Sequence, residues 1–261
     1  VSEVLSLLSR LASGKTASEV WDLAAQYFAG QGFHRCNYGF TRFRAERSFG
    51  DPDDALFMTT CDADYAHFYF RNGFFARTPA FRWAQGNTGA CTWSWVREAY
   101  EAGRLTAEEA DTVRQNAARG IVAGISISFP ETSSRAKGAM GLIADPGLDA
   151  AAVDRIFAAK EEEFLAVANM MHLRLIQLPF TIRRRPLTDR QREALEWVAD
   201  GKTTQDVALL MDISVAMVEK HLRLARDTLA VETTTQAVAK AALMNLIFQQ
   251  KPALAPNRTV A

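Results

Sequence analysis

The sequence predicts two domains: a mixed α/β domain in which an antiparallel sheet carries helices on its faces, then an all-α domain of four helices built around a helix-turn-helix. Three observations carry this. The first 182 residues mix strand and helix periods without the strand–helix alternation of a doubly wound sheet. The stretch LPFTIRRRPL, with two prolines and three arginines, then interrupts both patterns near residues 178–186. Beyond it the patterns are short and purely helical.

Two helices open the chain. In TASEVWDLAAQYFAGQGF, Thr16 stands three residues before Glu19, the spacing of a capping box. Val20, Leu23, Ala24, Tyr27 and Phe28 then recur at helical spacing, and Gly30 ends the run. CNYGFTRFR and DALFMTT read as strands. Residues 61–101 are aromatic and locally helical, in DADYAHFYFRNGFFARTPAFRW and then CTWSWVREAYEAG. LTAEEADTVRQNAARG is a helix with Thr106 and Glu109 as its capping box. VAGISISFP and KGAMGLIAD form two antiparallel strands joined by the polar turn ETSSRA. A long helix follows, with an apolar stripe of Val153, Ile156, Phe157, Phe164, Val167 and Met171.

In the second domain, Thr188 and Gln191 cap a helix that buries Leu195 and Val198 beside Trp197 and stops at Gly201. Thr203 and Asp206 cap the next, with Val207, Ala208 and Leu210 expected inward. After the turn MDIS, Ser214 caps a third helix whose apolar side is Val218, Leu222 and Ala225. A fourth helix is expected to close the core with Val238, Ala242, Leu243 and Leu246. The expected division is residues 1–178, a linker at 179–186, a second domain at 187–250 and a flexible tail at 251–261.

The chain has 261 residues, 48% of them hydrophobic, and a formal net charge of +0. That charge excludes a global field drawing the protein to nucleic acid or membrane. From Arg183 onward, however, 12 Lys/Arg stand against 9 Asp/Glu, a net of +3, leaving 18 against 21, a net of −3, in the remainder. A basic tail on an acidic body fits DNA binding by the tail. Cys36, Cys61 and Cys91 form no disulfide framework or metal-binding spacing. No apolar stretch reaches membrane-spanning length, and no secretory signal opens the chain, so a soluble cytoplasmic protein is expected. No catalytic constellation, metal site or cofactor is expected from the residue spacings.

Two short helices joined by a tight turn suit a major groove about 12 Å wide, where a few residues of the second helix reach base edges. On pattern alone a ligand-free helical bundle remains open. The order and spacing of LT.R...AL.W.A.GK, DVA, IS and VEKHL over residues 187–247 resemble the LuxR/FixJ family of DNA-binding domains. The resemblance implies that Lys202 and Thr203 contact phosphates. It places Ser214, Val215, Glu219, Lys220, Arg223 and Arg226 on or near the DNA-facing side of the third helix. His221 would face its own domain more than the bases. Gln191, Met217, Thr228 and the pair Thr233-Thr234 depart from the family's residues, which points to lower phosphate affinity or an unusual operator.

Residues 5–178 resemble the acyl-homoserine-lactone-binding domain of quorum-sensing LuxR regulators. That family has Trp, four residues later Tyr, nine later Asp-Pro, and Trp fifteen beyond the Asp. Here those positions hold Tyr65, Tyr69, Thr78-Pro79 and Trp93, without a gap, and Gly120 and Gly124 continue the pattern. The resemblance implies a sheet sandwiched between helical layers, with a small-molecule signal buried between the sheet and one layer. It implies that Tyr65 donates to the lactone carbonyl and Tyr69 to the acyl-amide carbonyl. Thr78 replaces the family's carboxylate acceptor by a neutral hydroxyl. Gly141 takes the place of a strand hydroxyl and leaves room. Phe81 and Trp95 join this aromatic set, which suits a flat or apolar molecule; a packed aromatic core is the alternative. The expected protein is a homodimeric regulator binding double-stranded DNA under control of a small molecule, an acyl-homoserine lactone or an atypical apolar or aromatic signal. The alternative is a ligand-independent regulator whose first domain serves dimerisation or protein docking.

Overall fold

The computed structural model describes residues 3–44, 50–131, 133–179 and 186–248. The chain divides into two compact units, Val1–Leu178 and Pro179–Ala261. The expected tail at 251–261 and most of the expected linker lie outside the described residues.

The first unit is an antiparallel sheet flanked by helices. Helices α1 (Glu3–Ser13) and α2 (Ala17–Ala29) open it. Thr16 Oγ1 accepts from the Glu19 N–H at 3.1 Å, but the Glu19 carboxylate accepts from Lys15 N, so only half of the expected capping box forms. Strands β1 (Arg35–Thr41) and β2 (Leu56–Thr59) follow. Then come α3 (Ala63–Ala66), a wider π-type turn at His67–Arg71, a 3-10 turn at Phe74–Arg77 and α4 (Pro79–Gly86). β3 (Gly89–Thr92) precedes α5 (Ser94–Glu101) and α6 (Ala107–Ala117). Cys91 and Thr92 therefore belong to a strand, not to a helical region. Four residues are too few to show a period, and the tryptophans after them dominate the pattern. β4 (Gly124–Ser128) and β5 (Lys137–Ile143) complete the sheet, and α7 (Ala150–Gln177) ends the unit, with Lys160 at non-helical φ −136°, ψ 17°.

The strand order is β2-β1-β5-β4-β3, antiparallel throughout. The period of two sorts its faces. Tyr38, Met140 and Ile127 sit in register across three strands, and Tyr38 hydrogen-bonds His172 of α7, so this row faces the α7 layer. Asn37, Gly141 and Ser126 form the neighbouring row and face the other way. α1 and α2 pack on α7.

The second unit holds α8 (Asp189–Ala199), α9 (Thr204–Met211), α10 (Val215–Leu229) and α11 (Thr234–Leu243). Reciprocal capping boxes start α8, α9 and α11, and Ser214 caps α10, so each short helix has its first amides satisfied by a side chain. Asp212 takes the left-handed conformation (φ 52°) between α9 and α10. Val218, Leu222 and Ala225 are buried as expected. Leu210 is 49% exposed, and Met211 takes the expected inward place. On α11 and in the segment after it the buried residues are Ala237, Ala241, Met244 and Ile247, whereas Leu243 is 48% exposed and Ala242 is exposed. Of the expected residues, Val238 and Leu246 are partly buried against this core, and Ala242 and Leu243 point outward.

Candidate functional site

Between the sheet and helices α3 to α6 lies a cavity of about 280 Å³. The row Thr59, Asn37, Gly141, Ser126 and Cys91 crosses all five strands in register beneath it. Gly141 stands at its centre, where a Cβ would meet nothing nearer than the Trp93 ring at 4.0 Å. The missing side chain is therefore space. Trp93 follows β3, and its indole N–H donates to Ser126 Oγ at 2.8 Å. Its ring lies over Gly124, where a Cβ would come within 2.8 Å of the ring and 2.3 Å of the Leu142 carbonyl oxygen. Only glycine lets Trp93 lie flat there.

One wall is α3, whose start is fixed by Asp62 accepting from Tyr65 N–H at 2.8 Å. Tyr65 and Tyr69 stack with centroids 5.4 Å apart and planes at 17°. On the sheet row below, Asn37 Oδ1 accepts from Thr59 Oγ1 at 2.7 Å. Burial pushes both phenols well above their ordinary pKa, so they are neutral hydrogen-bond donors.

Thr78 also lines the cavity, at the start of α4. Its Oγ1 accepts from Phe81 N–H at 3.2 Å and donates to the Phe75 carbonyl at 2.8 Å. With Pro79 at the first helical position this is a complete N-cap. The hydroxyl's proton is committed to the backbone.

The far wall comes from α5 and α6: Val96, Arg97, Tyr100, Val113, Asn116 and Ala117, continued by Ile121 and Val122. Sequence reasoning missed this wall, because Val113 and Ala117 read as ordinary core positions of an amphipathic helix. It missed Asn37 as well, one polar residue inside a strand. Among the described residues no acid lines the cavity, and the one charged side chain in its lining is Arg97. Asn116 Oδ1 is buried without a hydrogen-bond partner.

The expected ligand residues divide accordingly. Tyr65, Tyr69, Thr78, Trp93 and Gly141 come together around the cavity. Phe81 faces an adjoining recess of about 70 Å³, which shares Asn37, Tyr69, Ala80, Trp93 and Gly141 with it. Trp95 lines neither. Its indole N–H is buried without a hydrogen-bond partner among the described residues, and burial pushes the Cys91 thiol up to about 11.

In the second unit, α10 leaves Val215, Glu219, Lys220 and Arg223 exposed, and Ser214 is exposed at its cap. A shallow cleft beside α10 is lined by Glu219, Lys220, Arg223 and Arg226 together with Thr204 and Thr234. Arg223 pairs with Asp227 at 3.1 Å, and Arg226 donates to Thr234 Oγ1 at 3.0 Å. Exposed pairs of this kind are weak and readily exchanged for a phosphate. Lys202 is exposed before α9. Both the amide and the hydroxyl of Thr203 are held by Asp206 Oδ2, at 3.0 and 2.7 Å. His221 is half-buried. No helix among the described residues is long and apolar enough to cross a membrane.

Two family models match the chain: the autoinducer binding domain over residues 16–175 and the bacterial regulatory proteins of the luxR family over residues 185–241. The transcriptional activator protein SolR of Ralstonia nicotianae is 29% identical over 227 residues, 83% of this chain and 86% of its own. The quorum-sensing-dependent transcriptional regulator RpaR of Rhodopseudomonas palustris is 31% identical over 185 residues, 70% of this chain and 72% of its own. A crystal structure of Escherichia coli SdiA aligns with a TM-score of 0.54 at 18% identity, covering 94% of this chain and 98% of that one. That similarity is one of fold.

Proposed function

The chain belongs to the LuxR family of quorum-sensing-type transcriptional regulators, with an autoinducer-binding-like first domain and a LuxR-type helix-turn-helix, and from that premise we propose that its cavity takes an atypical or non-lactone signal. The general mechanism is the family's: a DNA-binding transcription factor controlled by a ligand. The observation that carries the narrower reading is Thr78. Its proton is donated to the Phe75 carbonyl, and no carboxylate stands elsewhere in the lining among the described residues. A neutral hydroxyl already serving as a cap is a poor acceptor for a ligand N–H, so a signal that depends on a charged acceptor at this point is disfavoured.

In this reading Tyr65, Tyr69, Trp93 and Gly141 shape the site, Phe81 serves its recess, and residues 1–178 form the sensory and dimerisation unit. Residues 187–250 form the DNA reader, joined by a linker at 179–186 and followed by a tail at 251–261. Lys202, Thr203, Ser214, Val215, Glu219, Lys220, Arg223 and Arg226 approach double-stranded DNA. The protein acts as a homodimer, since one such domain buries too little surface for high specificity. By family analogy the dimer contact uses the long helix at 150–178 and the last helix at 234–248, and exposed Leu173 on α7, with Leu243 and Phe248 on or just beyond α11, give each an apolar surface. A ligand-independent regulator would have the cavity plugged by Phe74, Phe75 or Trp95, and none of these lines it.

Native mass spectrometry of the full chain tests the reading, with a panel of acyl-homoserine lactones and with a culture extract of the organism that makes it. A bound mass found only with extract is expected. Uptake of a panel lactone at low concentration would restore the ordinary signal class, and no bound molecule from either source would sink the ligand reading.

A further inference from the structure

We propose that Glu219 on α10 is a base-reading residue, and that its carboxylate accepts a hydrogen bond from the exocyclic amino group of a cytosine in the major groove of the operator. The inference rests on reading α10 as the helix that enters DNA. Ala216, Glu219, Lys220 and Arg223 stand at i, i+3, i+4 and i+7, so they share one exposed side of α10, away from the buried Val218 and Ala225. All four line one cleft, together with Arg226, Thr204 and Thr234. Glu219 is the acid of that lining, and its other ionisable groups are cations. Arg223, the cation placed at i+4 to pair with it, pairs instead with Asp227 at 3.1 Å, and Arg226 donates to Thr234 Oγ1 at 3.0 Å. Glu219 itself is exposed and makes no hydrogen bond or ion pair among the described residues.

A carboxylate on a DNA-facing surface cannot pair with phosphate, since both are negative. It opposes binding unless a base edge supplies a donor. In the major groove the donors are the N4 amino group of cytosine and the N6 amino group of adenine. The adenine amino lies between two acceptors, its own N7 and the thymine O4, and both repel a carboxylate. The cytosine amino has an acceptor on one side only, the guanine O6, and that oxygen together with N7 is what a cation binds. A C·G pair therefore satisfies Glu219 and one of its neighbours, Lys220 or Arg223, at the same time. Ala216, one turn before Glu219 on the same side, has only a methyl group to hold the helix off the bases.

The test is selection of duplexes from a random-sequence pool by the full chain, as wild type, Glu219→Ala and Glu219→Gln, each with and without small-molecule culture extract of the organism that makes it. Anisotropy titrations on the wild-type site and its single-pair substitutions follow. The wild-type site is expected to hold a C·G pair at one fixed position of each half-site. Replacing that pair by T·A is expected to weaken wild type about tenfold, the scale of one hydrogen bond to a charged group, and to leave Glu219→Ala unchanged. Glu219→Ala is also expected to bind unrelated duplex more tightly than wild type, because a charge repelled by phosphates is gone. A residue that only shaped the fold would not raise that affinity. Glu219→Gln is expected to select adenine at the same position, since a carboxamide pairs with N6 and N7 together. An unchanged preference for the C·G pair in Glu219→Ala, or a wild-type site with no fixed cytosine, overturns the inference while leaving α10 as the reading helix. If wild type enriches no sequence under either condition, the DNA-reader placement falls, and this inference with it.

Discussion

Of the four histidines only His172 is buried, and its surroundings fix its protonation. Its ring stacks on Phe129 with centroids 4.1 Å apart and planes at 4°, and its Nδ1 lies 2.9 Å from the Tyr38 hydroxyl. Burial, with the Arg42 guanidinium adding to it, lowers its pKa from 6.5 to about 4. Burial raises Tyr38, so the phenol keeps its proton and donates it to Nδ1. In the unfolded chain this imidazole titrates near its ordinary value. Between about pH 6.5 and 4 the unfolded state therefore holds more protons than the folded one. Stability is at its full value above that window and falls as pH falls through it. The expected loss approaches about 1.4 kcal/mol per pH unit inside the window. Urea midpoints at pH 7 and pH 5 measure it, and His172→Gln should flatten the dependence. An equal slope in wild type and variant would remove His172 as its source. None of this was legible in the sequence, where His172 is one polar letter on a long helix; its tautomer depends on a strand 134 residues away. Thr78 was half legible. The family resemblance carried by the residues from Tyr65 to Trp93 placed it among the ligand residues, but not the two backbone groups that occupy its hydroxyl.

Elements with strong local signals were the readable ones. Thr106 with Glu109, and Thr188 with Gln191, form the boxes their spacing announces. The line Val218, Leu222 and Ala225 identified the inner side of α10 because its neighbours are charged. On α11 the sequence TTQAVAKAALMNLIF is alanine-rich and nearly uncharged, so nothing local decides which of its residues face the core. Packing against α8 and α10 decides it. The same physics makes α10 the element to test. Its outward side carries Lys220 and Arg223, and Arg223 makes only an exposed pair with Asp227. Arg223→Ala is expected to leave the fold within about 0.5 kcal/mol of wild type, as surface changes usually do. It is also expected to weaken binding to a duplex containing the target promoter and to reduce the salt dependence by about one phosphate contact. Anisotropy titrations at several salt concentrations measure both. Unchanged affinity and slope would move Arg223 off the DNA face.

At the scale of the whole molecule, a cavity in one unit and a reading helix in another become a regulator only if the ligand distinguishes two states of the chain. A ligand bound equally well by both shifts nothing, however tightly it binds. The cavity is formed entirely by residues of the first unit, from Asn37 to Ile143, so the ligand cannot touch DNA chemistry directly. Its influence must pass through the population of some form competent to bind DNA, and the homodimer is that form in the proposed mechanism. The coupling is reciprocal: the factor by which ligand tightens the dimer is the factor by which dimerisation tightens the ligand. If only the dimer held ligand, a ligand at 100 times its Kd would favour it by about 2.7 kcal/mol per site, and the two sites of a homodimer together shift the dimer equilibrium about ten-thousandfold. Sedimentation of the full chain across its dissociation range, with and without the molecule found by mass spectrometry, reads this directly. The expected result is a dimer persisting at concentrations roughly ten-thousandfold lower when ligand is present. If the mass distribution does not move while ligand still changes DNA affinity, the two states differ in something other than association. The coupling would then have to run within each chain, through the segment that joins its two units.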